Sequence, residues 1–438
     1  MGSYIPSSAA ERSQMLGAIG LESMRDLYQA VPEQMLVSSL DLPEGASELE
    51  VIRLMQAYAG ENRVFDSIFR GAGAYHHYIP SIVKSVIAKE DFLTAYTPYQ
   101  AEISQGILQS IFEYQTMIAE LTGMDASNAS VYDGASAAAE ALTMCRDKKR
   151  TSALVASTIQ PMVMSTIQTY SDGADAEVIR VPELDGRMDI EALKSLLHDG
   201  VASVYFQQPN YYGLFEDAQA IIEIAHQAGA KVIMGVNPIA LALMATPGEL
   251  GADIAVGEGQ PLGLPLAFGG PYLGFMATRM AMVRRLPGRI VGETVDVDGK
   301  RAFVLTLQAR EQHIRREKAQ SNICSNQALC AMAASVYAAA MGRDGLIEVA
   351  NQCHSKAVYL NQAICALPGF EVVHEGEFFH EFVTRCPIDA QLLMQKLEQR
   401  GILGGLPLDD GNILWCATEM NTKAQMDQLV DALKEVAR

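Results

Sequence analysis

The stretch GADIAVGEGQPLGLPLAFGGPYLGFMATR, residues Gly251–Arg279, decides the fold of this chain of 438 residues. Its pattern predicts a short apolar strand at Asp253–Val256, a glycine-rich turn at Gly257–Leu262 and a further strand at Tyr272–Ala277. The turn offers a carboxylate, an amide and a proline, but the whole stretch contains no lysine. Because covalent capture of a carbonyl group needs an amine, this turn cannot form a Schiff base.

Apolar strands alternate with helices on the N-terminal side of this stretch. The predicted strands are Ala153–Ser157, Glu177–Val181, Ala202–Phe206 and Lys231–Gly235, and the helices between them are Pro161–Tyr170, Ile190–Leu197 and Ala218–Ala228. Short connections and continuously apolar strands indicate a parallel sheet covered by helices on both faces. The sequence therefore predicts a three-layer α/β domain.

Ligands of such sheets bind beyond the carboxyl ends of the strands. Pyridoxal phosphate (PLP) chemistry needs a lysine there, and an acidic residue that keeps the pyridine nitrogen protonated. Asn237 follows the strand Lys231–Gly235, while Gln260 and Pro261 lie in the glycine-rich turn. The pattern resembles the aminotransferase-like class (PLP fold type I), with a degenerate cofactor position at Asn237, Gln260 and Pro261.

Acidic side chains outnumber basic ones by 52 to 33, which gives a formal net charge of −19. This balance argues against a nucleic-acid partner, because phosphate binding needs clustered lysine and arginine. The N-terminus lacks a secretory pattern, and the apolar segment Gln327–Gly342 is shorter than the roughly 20 residues of a membrane span. The seven cysteines form no CxxC pair and no metal-ligand spacing. We therefore expect a cytoplasmic protein with reduced thiols, no membrane partner and no metal.

The pattern along the chain predicts three parts. Residues 1–70 form a helical arm, which either wraps a partner subunit or covers the chain's own core. Residues 71–340 form the large α/β domain with its mainly parallel sheet. Residues 341–438 form a small α+β domain, with strands at Phe370–Val373 and Phe378–Thr384 among its helices.

Two loops have compositions that are typical of binding segments. In Phe69–Pro80, glycines allow close approach of the backbone, and tyrosine and histidine supply stacking faces and hydrogen-bond donors. His76 and His77 are adjacent there, so they cannot face the same way on a strand, and no third metal ligand has a recognisable spacing. The turn Tyr132–Ser136 opens a helix and is either an anion site or an ordinary N-cap.

The segment Leu307–Lys318, LQAREQHIRREK, is the only strongly basic run of the chain. Glu311 and Arg315 have the i,i+4 spacing of a helical ion pair, which indicates a solvated helix face. The alternative is a role at an interface or facing a phosphate group, and the sequence favours neither.

Several long strings resemble the P-protein family of the glycine cleavage system, and within it the first, N-terminal-half subunit of the split versions. The strings are YIP at 4–6, YTPYQAEISQG at 96–106, NASVYDGASAAAE at 128–140, PGELGADIAVG at 247–257 and LQAREQHIRREKAQSNI at 307–323. They occur in the right order and cover nearly the whole chain, which makes the likeness far more specific than a single glycine motif.

The resemblance implies two aminotransferase-like subunits, with the lysine and the PLP in the second. Glycine loses its carboxylate there, and its aminomethyl group passes to the lipoyl arm of a carrier, the H-protein. Because enzymes of this class build active sites at dimer interfaces, we expect this chain to close its partner's pocket, in a heterodimer or heterotetramer, and to be inactive alone. The candidate pocket residues are His76, His77, Tyr96, Thr97, Tyr99, Gln100, Gln308, Arg310, Glu311 and Arg315.

Three alternatives stay open from the sequence. The chain could be an autonomous PLP enzyme that uses another lysine, such as Lys231 or Lys318. It could be a scaffold of the same complex that contributes no group to the pocket. Its own cleft could also bind an effector, such as glycine or the arm of the carrier.

Overall fold

The computed structural model describes residues 6–37, 39–93 and 98–436. The chain divides into two compact units, with the division between Val64 and Phe65. The first unit contains α1 (Ala9–Ala18), α2 (Glu48–Gly60) and short 3₁₀ turns. Each helix begins with a capping box, in which a serine and a glutamate three residues later satisfy free backbone N–H groups. The structure describes these two helices in this part of the chain, whereas the arm of residues 1–70 and the boundaries predicted at residues 70 and 340 stay predictions.

The second unit contains the remaining helices. They are α3 (Ser81–Ile87), α4 (Glu90–Leu93), α5 (Gln105–Thr122), α6 (Gly134–Cys145), α7 (Pro161–Gly173), α8 (Ile190–Leu196), α9 (Ala218–Gln227), α10 (Pro247–Leu250), α11 (Gln312–Arg315), α12 (Ala328–Cys365), α13 (Ala390–Glu398) and α14 (Lys423–Val436). The backbone of α12 is non-helical at Gly342, with φ 61° and ψ −176°. Since glycine adopts positive φ without a side-chain clash, this residue lets α12 bend.

The strands form one large sheet and several small ones. They are β1 (Ser67–Ile68), β2 (Ala126–Ser127), β3 (Ser152–Ala156), β4 (Val178–Val181), β5 (Glu183–Leu184), β6 (Arg187–Met188), β7 (Val201–Gln208), β8 (Lys231–Val236), β9 (Ile254–Glu258), β10 (Gly274–Thr278), β11 (Val291–Val295), β12 (Arg301–Leu305), β13 (Glu381–Thr384), β14 (Ile402–Leu403), β15 (Leu406–Pro407) and β16 (Ile413–Cys416).

The large sheet has seven strands in the order β2-β10-β9-β8-β7-β3-β4. The run from β9 to β4 is parallel, as the sequence predicts, and β10 pairs antiparallel with both β9 and β2. Strands β3, β7, β8 and β9 are buried almost throughout, the edge strand β4 is buried only at Val181, and α6 and α9 pack against the sheet. The stretch Gly251–Arg279 thus supplies the last parallel strand, the turn after it and the antiparallel strand beside it.

A second hydrophobic core lies in the C-terminal part of the chain. Strands β13, β16 and β15 form its sheet, and α13 and α14 pack beside it. Trp415 is fully buried there and donates a hydrogen bond from Nε1 to Thr384 Oγ1 at 2.9 Å. The strand predicted at Phe370–Val373 is wrong, because this segment makes only an isolated bridge, from Val372 to Thr384.

The hairpin of β11 and β12 follows the large sheet in the chain and has no counterpart among the predicted elements. Each strand exposes one charged side chain, Glu293 in β11 and Arg301 in β12, and most of their other residues are not buried, so they lack the buried apolar run that marks the strands of the sheet. In the part of the chain that the structure describes, no helix is both long and apolar enough to cross a membrane.

Candidate functional site

A cavity of about 450 Å³ opens beyond the carboxyl ends of the parallel strands. Gln207, Asn237 and Glu258, at the ends of β7, β8 and β9, line it together with the loop Gly71–Tyr75. This is where an open α/β sheet binds its ligands. Among the described residues of the lining there is no lysine, arginine or histidine, so the wall presents carboxyl, amide and hydroxyl groups and no cation.

The first turn of α6 also lines the cavity, and its N–H groups already have partners. Asp133 Oδ1 accepts the Ser136 N–H at 2.7 Å, and Glu258 Oε2 accepts the Gly134 N–H at 3.0 Å. A Cβ atom at Gly134 would lie 2.9 Å from the backbone nitrogen of Glu258, so the contact between the helix and the strand end is close. Two of the chain's own carboxyl groups therefore occupy donors that a bound phosphate would need, and the turn is an N-cap.

Gln260, in the turn after β9, is fully buried. Its Nε2 donates to the Tyr75 carbonyl at 2.9 Å and to the Leu264 carbonyl at 2.8 Å. Its Oε1 accepts the Tyr75 N–H at 2.8 Å. The amide thus fastens the loop Gly71–Tyr75 to the sheet, while its neighbour Pro261 lines the cavity.

The groups present do not fit PLP as a covalently held cofactor of this chain. Asn237 Oδ1 accepts the Ile239 N–H at 2.9 Å, and an amide cannot form the ion pair that keeps a pyridine nitrogen protonated. Lys231 begins β8 at the end of the sheet opposite the cavity, and its Nζ bonds Asp253 at 2.9 Å. Lys318 is exposed and does not line the cavity. The geometry contradicts the alternative that either lysine serves a PLP site in this cavity.

Two buried carboxyl groups give the cavity its electrostatic character. Burial raises the pKa of Glu258 to about 7, although hydrogen bonds from three backbone N–H groups act to lower that pKa. Burial also raises the pKa of Glu381 to about 7, although this carboxyl group accepts the Ala72 N–H at 2.6 Å and bonds the Tyr75 hydroxyl at 2.8 Å. Carboxyl groups held without a cation disfavour an anionic ligand.

Three of the predicted residues lie around Arg289, away from the cavity lining. The Arg289 guanidinium lies 4.8 Å from the ring centroid of Tyr99 and forms an ion pair with Glu311. Tyr99 donates its hydroxyl proton to Asn326 Oδ1 at 2.7 Å. We call this group the Arg289 cluster (Tyr99, Arg289, Glu311 and Asn326). Beside it, Arg310 Nη2 donates a hydrogen bond to the Gly288 carbonyl at 2.7 Å.

The structure contradicts one of the two alternatives left open for the basic run, the solvated helical ion pair between Glu311 and Arg315. Glu311 is 6% exposed and turns to Arg289, while Arg315 Nε donates to the Ala309 carbonyl at 3.0 Å. The cause is that the basic run is not one helix. It breaks into a 3₁₀ turn, the short α11 and another 3₁₀ turn, with φ 53° at Arg316.

The remaining predicted residues are dispersed. His76, Gln100, Gln308 and Arg315 are exposed, whereas His77 is buried with Nδ1 2.8 Å from Glu419 Oε2. Tyr96 and Thr97 fall outside the described residues. The roles predicted for this set at a partner's pocket stay predictions.

Sequence reasoning missed Glu258 and Arg289, although both carry much of the local structure. The carboxylate of Glu258 was visible in the glycine-rich turn, but two of its three N–H partners, Gly134 and Leu273, lie on segments that only the fold brings beside it. Arg289 follows a Pro-Gly pair and has no motif around it, so the sequence holds no signal for its pairing with Glu311.

Solved structures place the fold in a known class. The chain superposes on sphingosine-1-phosphate lyase from Burkholderia pseudomallei with a TM-score of 0.68 at 14% identity, covering 92% of this chain and 93% of that one. At this identity the likeness shows the fold alone. The fold is that of the PLP-dependent enzymes of fold type I, as the sequence predicts.

Closer likenesses show the family. The sequence matches the family described as glycine cleavage system P-protein over residues 2–433. It is 51% identical to the probable glycine dehydrogenase (decarboxylating) subunit 1 of Moorella thermoacetica, over 99% of each chain. A crystal structure of glycine decarboxylase (P-protein) of the glycine cleavage system, in inhibitor-bound form, superposes with a TM-score of 0.94 at 41% identity, covering 99% of this chain and 100% of that one. The chain belongs to the glycine cleavage system P-protein family.

Proposed function

We propose that this chain is the subunit of glycine dehydrogenase (decarboxylating) that does not hold PLP, and that it works only with a second, PLP-bearing subunit. The observation that carries the proposal is the cleft itself. It has the position of a fold type I active site, but its described lining residues include no lysine. An amide, Asn237, follows β8, and the carboxyl groups of Asp133 and Glu258 accept the N–H groups of the first turn of α6.

The reaction of the assembled enzyme is decarboxylation of glycine and transfer of the aminomethyl group to the lipoyl arm of the H-protein. PLP, held by the second subunit, supplies the electron sink that decarboxylation needs. The residues of this chain contribute by shape and contact, because none of those lining its own cleft can take up a carbonyl group. The heteromeric complex works in the cytoplasm, in keeping with seven cysteines that are all free of disulfides.

The surface that we propose to face the second subunit lies around the Arg289 cluster. The buried ion pair of Arg289 and Glu311 holds the segment of the basic run in place, and exposed polar groups flank it at Gln308 and Arg315. Cations clustered on an otherwise acidic chain give this surface a charge that differs from its surroundings. Such a difference steers a partner that carries the opposite charge.

The test is glycine-dependent exchange of labelled carbon dioxide, measured for each subunit alone and for the mixture. We expect no exchange by this chain alone and full exchange by the mixture. Replacement of Arg315 and Gln308 by alanine together is expected to weaken assembly, since both side chains are exposed and each bonds only a nearby backbone carbonyl, of Ala309 and Leu305 respectively. Arg301→Ala, in the exposed hairpin, is the matched control.

Two outcomes would count against this proposal. Exchange by the isolated chain would show that it holds a complete active site of its own. Unchanged assembly and exchange with the Arg315 and Gln308 variant would remove the proposed surface from the interface and leave the chain as a scaffold that binds elsewhere.

A further inference from the structure

Three side chains with metal-ligating atoms meet in the interior, although they are far apart in the sequence. His77, Cys353 and Glu419 each bring one such atom to within 4.8 Å of the others. His77 Nδ1 lies 2.8 Å from Glu419 Oε2, and Cys353 Sγ lies 3.3 Å from the same oxygen. The three residues come from the glycine-rich loop, from α12 and from the segment before α14, so no short motif marks the group.

The cluster is closed to solvent. His77 is 6% exposed and Cys353 is 0% exposed, while the side chain of Glu419 is 9% exposed. Such burial is costly for polar groups unless each one has a partner. An ion held by the three side chains would neutralise the carboxylate and use the sulfur and nitrogen lone pairs.

Several buried polar atoms around His77, Cys353 and Glu419 have no hydrogen-bond partner in the part of the chain that the structure describes. Within the described residues, Nε2 of His77, both ring nitrogens of His380 and the hydroxyl of Tyr337 are buried without a hydrogen-bond partner. His380 is 1% exposed and lies stacked on His77, with the ring centroids 6.5 Å apart. Buried polar groups of native proteins normally have partners, so several orphan atoms at one place point to an occupant.

The distances suit a small tetrahedral ion after modest movement. With metal–ligand lengths near 2.0–2.3 Å, neighbouring ligand atoms of a tetrahedral zinc site lie roughly 3.4–3.6 Å apart. The nitrogen–oxygen and sulfur–oxygen distances of 2.8 and 3.3 Å would lengthen by a few tenths of an ångström, and the ligand atoms, which all lie within 4.8 Å of one another, would close to about 3.4–3.6 Å.

We propose that His77, Cys353 and Glu419 form a binding site for a divalent transition metal of the zinc class, with His380 beside it. One imidazole, one thiolate and one carboxylate are the donor types that zinc accepts, whereas magnesium and calcium take oxygen ligands. Three protein ligands leave a fourth position open. The inference goes beyond the function proposed above and does not depend on it.

A bound ion would cross-link three parts of the chain that are far apart in the sequence. His77 follows the loop Gly71–Tyr75 that lines the cavity, and the ring of Tyr75 lies 4.5 Å from that of His380. Metal binding would therefore stiffen the wall of the cleft through this contact. Because the three ligands are close together only in the folded chain, the binding free energy would add to the free energy of unfolding.

The test is zinc binding by the full chain, stripped of metal with a chelator and then dialysed against zinc chloride. We expect one zinc per chain by elemental analysis, a higher Tm with zinc, and a thiolate-to-metal charge-transfer band when cobalt(II) replaces zinc. Cys353→Ser is expected to lower zinc affinity by roughly 100-fold or more and to abolish the cobalt band, since loss of an outer partner alone costs about 10–100-fold.

The matched control is Cys386→Ser, because Cys386 is half-buried and lies outside the cluster. It should bind zinc as the unmodified chain does. Absence of stoichiometric zinc, or equal zinc binding by Cys353→Ser, would overturn the proposal and leave the cluster as a hydrogen-bonded clamp. If Cys353→Ser fails to fold, the cobalt spectrum of the unmodified chain still decides, because a bound ion without a thiolate band would exclude Cys353 as a ligand.

Discussion

Gln260 joins the turn after β9 to the loop Gly71–Tyr75 by hydrogen bonds from both ends of its amide group. The sequence alone shows that the glycine-rich turn cannot form a Schiff base, because this reaction needs the amine of a lysine and the turn contains none. The role of Gln260 was not predictable from the sequence, because its hydrogen bonds go to Tyr75 and Leu264, and the first of these is remote in the sequence. The amide has become a structural link between the sheet and the loop over the cleft.

Glu381 gives a prediction on pH dependence at the same scale. Burial raises its pKa from the ordinary 4.5 to about 7 in the folded chain, so the folded state keeps a proton that the unfolded chain has lost. The contribution of this carboxyl group to stability is therefore largest below pH 4.5 and falls as the pH rises to about 7. We expect Glu381→Gln, which cannot titrate, to lose less Tm between about pH 5 and pH 8 than the unmodified chain.

The measurement is thermal unfolding across that range, with Glu293→Gln as the control, because the Glu293 carboxylate is half exposed. The control should retain the full pH dependence. Parallel profiles for Glu381→Gln and the unmodified chain would show that Glu381 does not titrate in this window.

Among the elements, the basic run allows a test of how burial changes the contribution of an ion pair to stability. Its ion pair between Arg289 and Glu311 has side chains that are 12% and 4% exposed, whereas Arg301 and Glu293 of the hairpin are 57% and 45% exposed. Removing one partner of a buried pair leaves an unpaired charge inside the protein. We expect Glu311→Gln to lower the free energy of unfolding by about 3–5 kcal/mol.

The exposed pair supplies the comparison in denaturant titrations. Glu293→Gln is expected to cost less than about 1 kcal/mol, because water screens that pair. Equal losses for the two variants would mean that the Arg289 cluster is open to solvent and does not hold the basic run.

Elements with strong apolar patterns were predictable, and those fixed by tertiary contacts were not. The parallel strands and their helices follow from continuous apolar runs, and their ends were placed within a few residues. The segment Phe370–Val373 has the composition of a strand but finds only a bridge at Val372. The alternative of a solvated helix over the basic run fails for a similar reason, since Glu311 turns inward to Arg289 and Arg316 adopts positive φ.

At the scale of the whole molecule, the fold and the family were accessible from the sequence, while the interior groupings were not. His77, Cys353 and Glu419 have no common spacing, and the sequence accordingly predicted no metal. The Arg289 cluster likewise joins segments that are distant in the chain. Long strings of residues identify a family, but only the folded chain shows which side chains share a site.

We propose above all that this chain has the fold of a PLP enzyme but does not itself hold PLP covalently. The most direct test is an absorbance spectrum of the purified chain with added PLP, followed by borohydride reduction and mass analysis, and the same with the second subunit present. We predict no Schiff-base band and no stoichiometric adduct on this chain alone, and a band that belongs to the second subunit in the mixture. A stoichiometric borohydride-reduced adduct on one lysine of this chain would contradict the account.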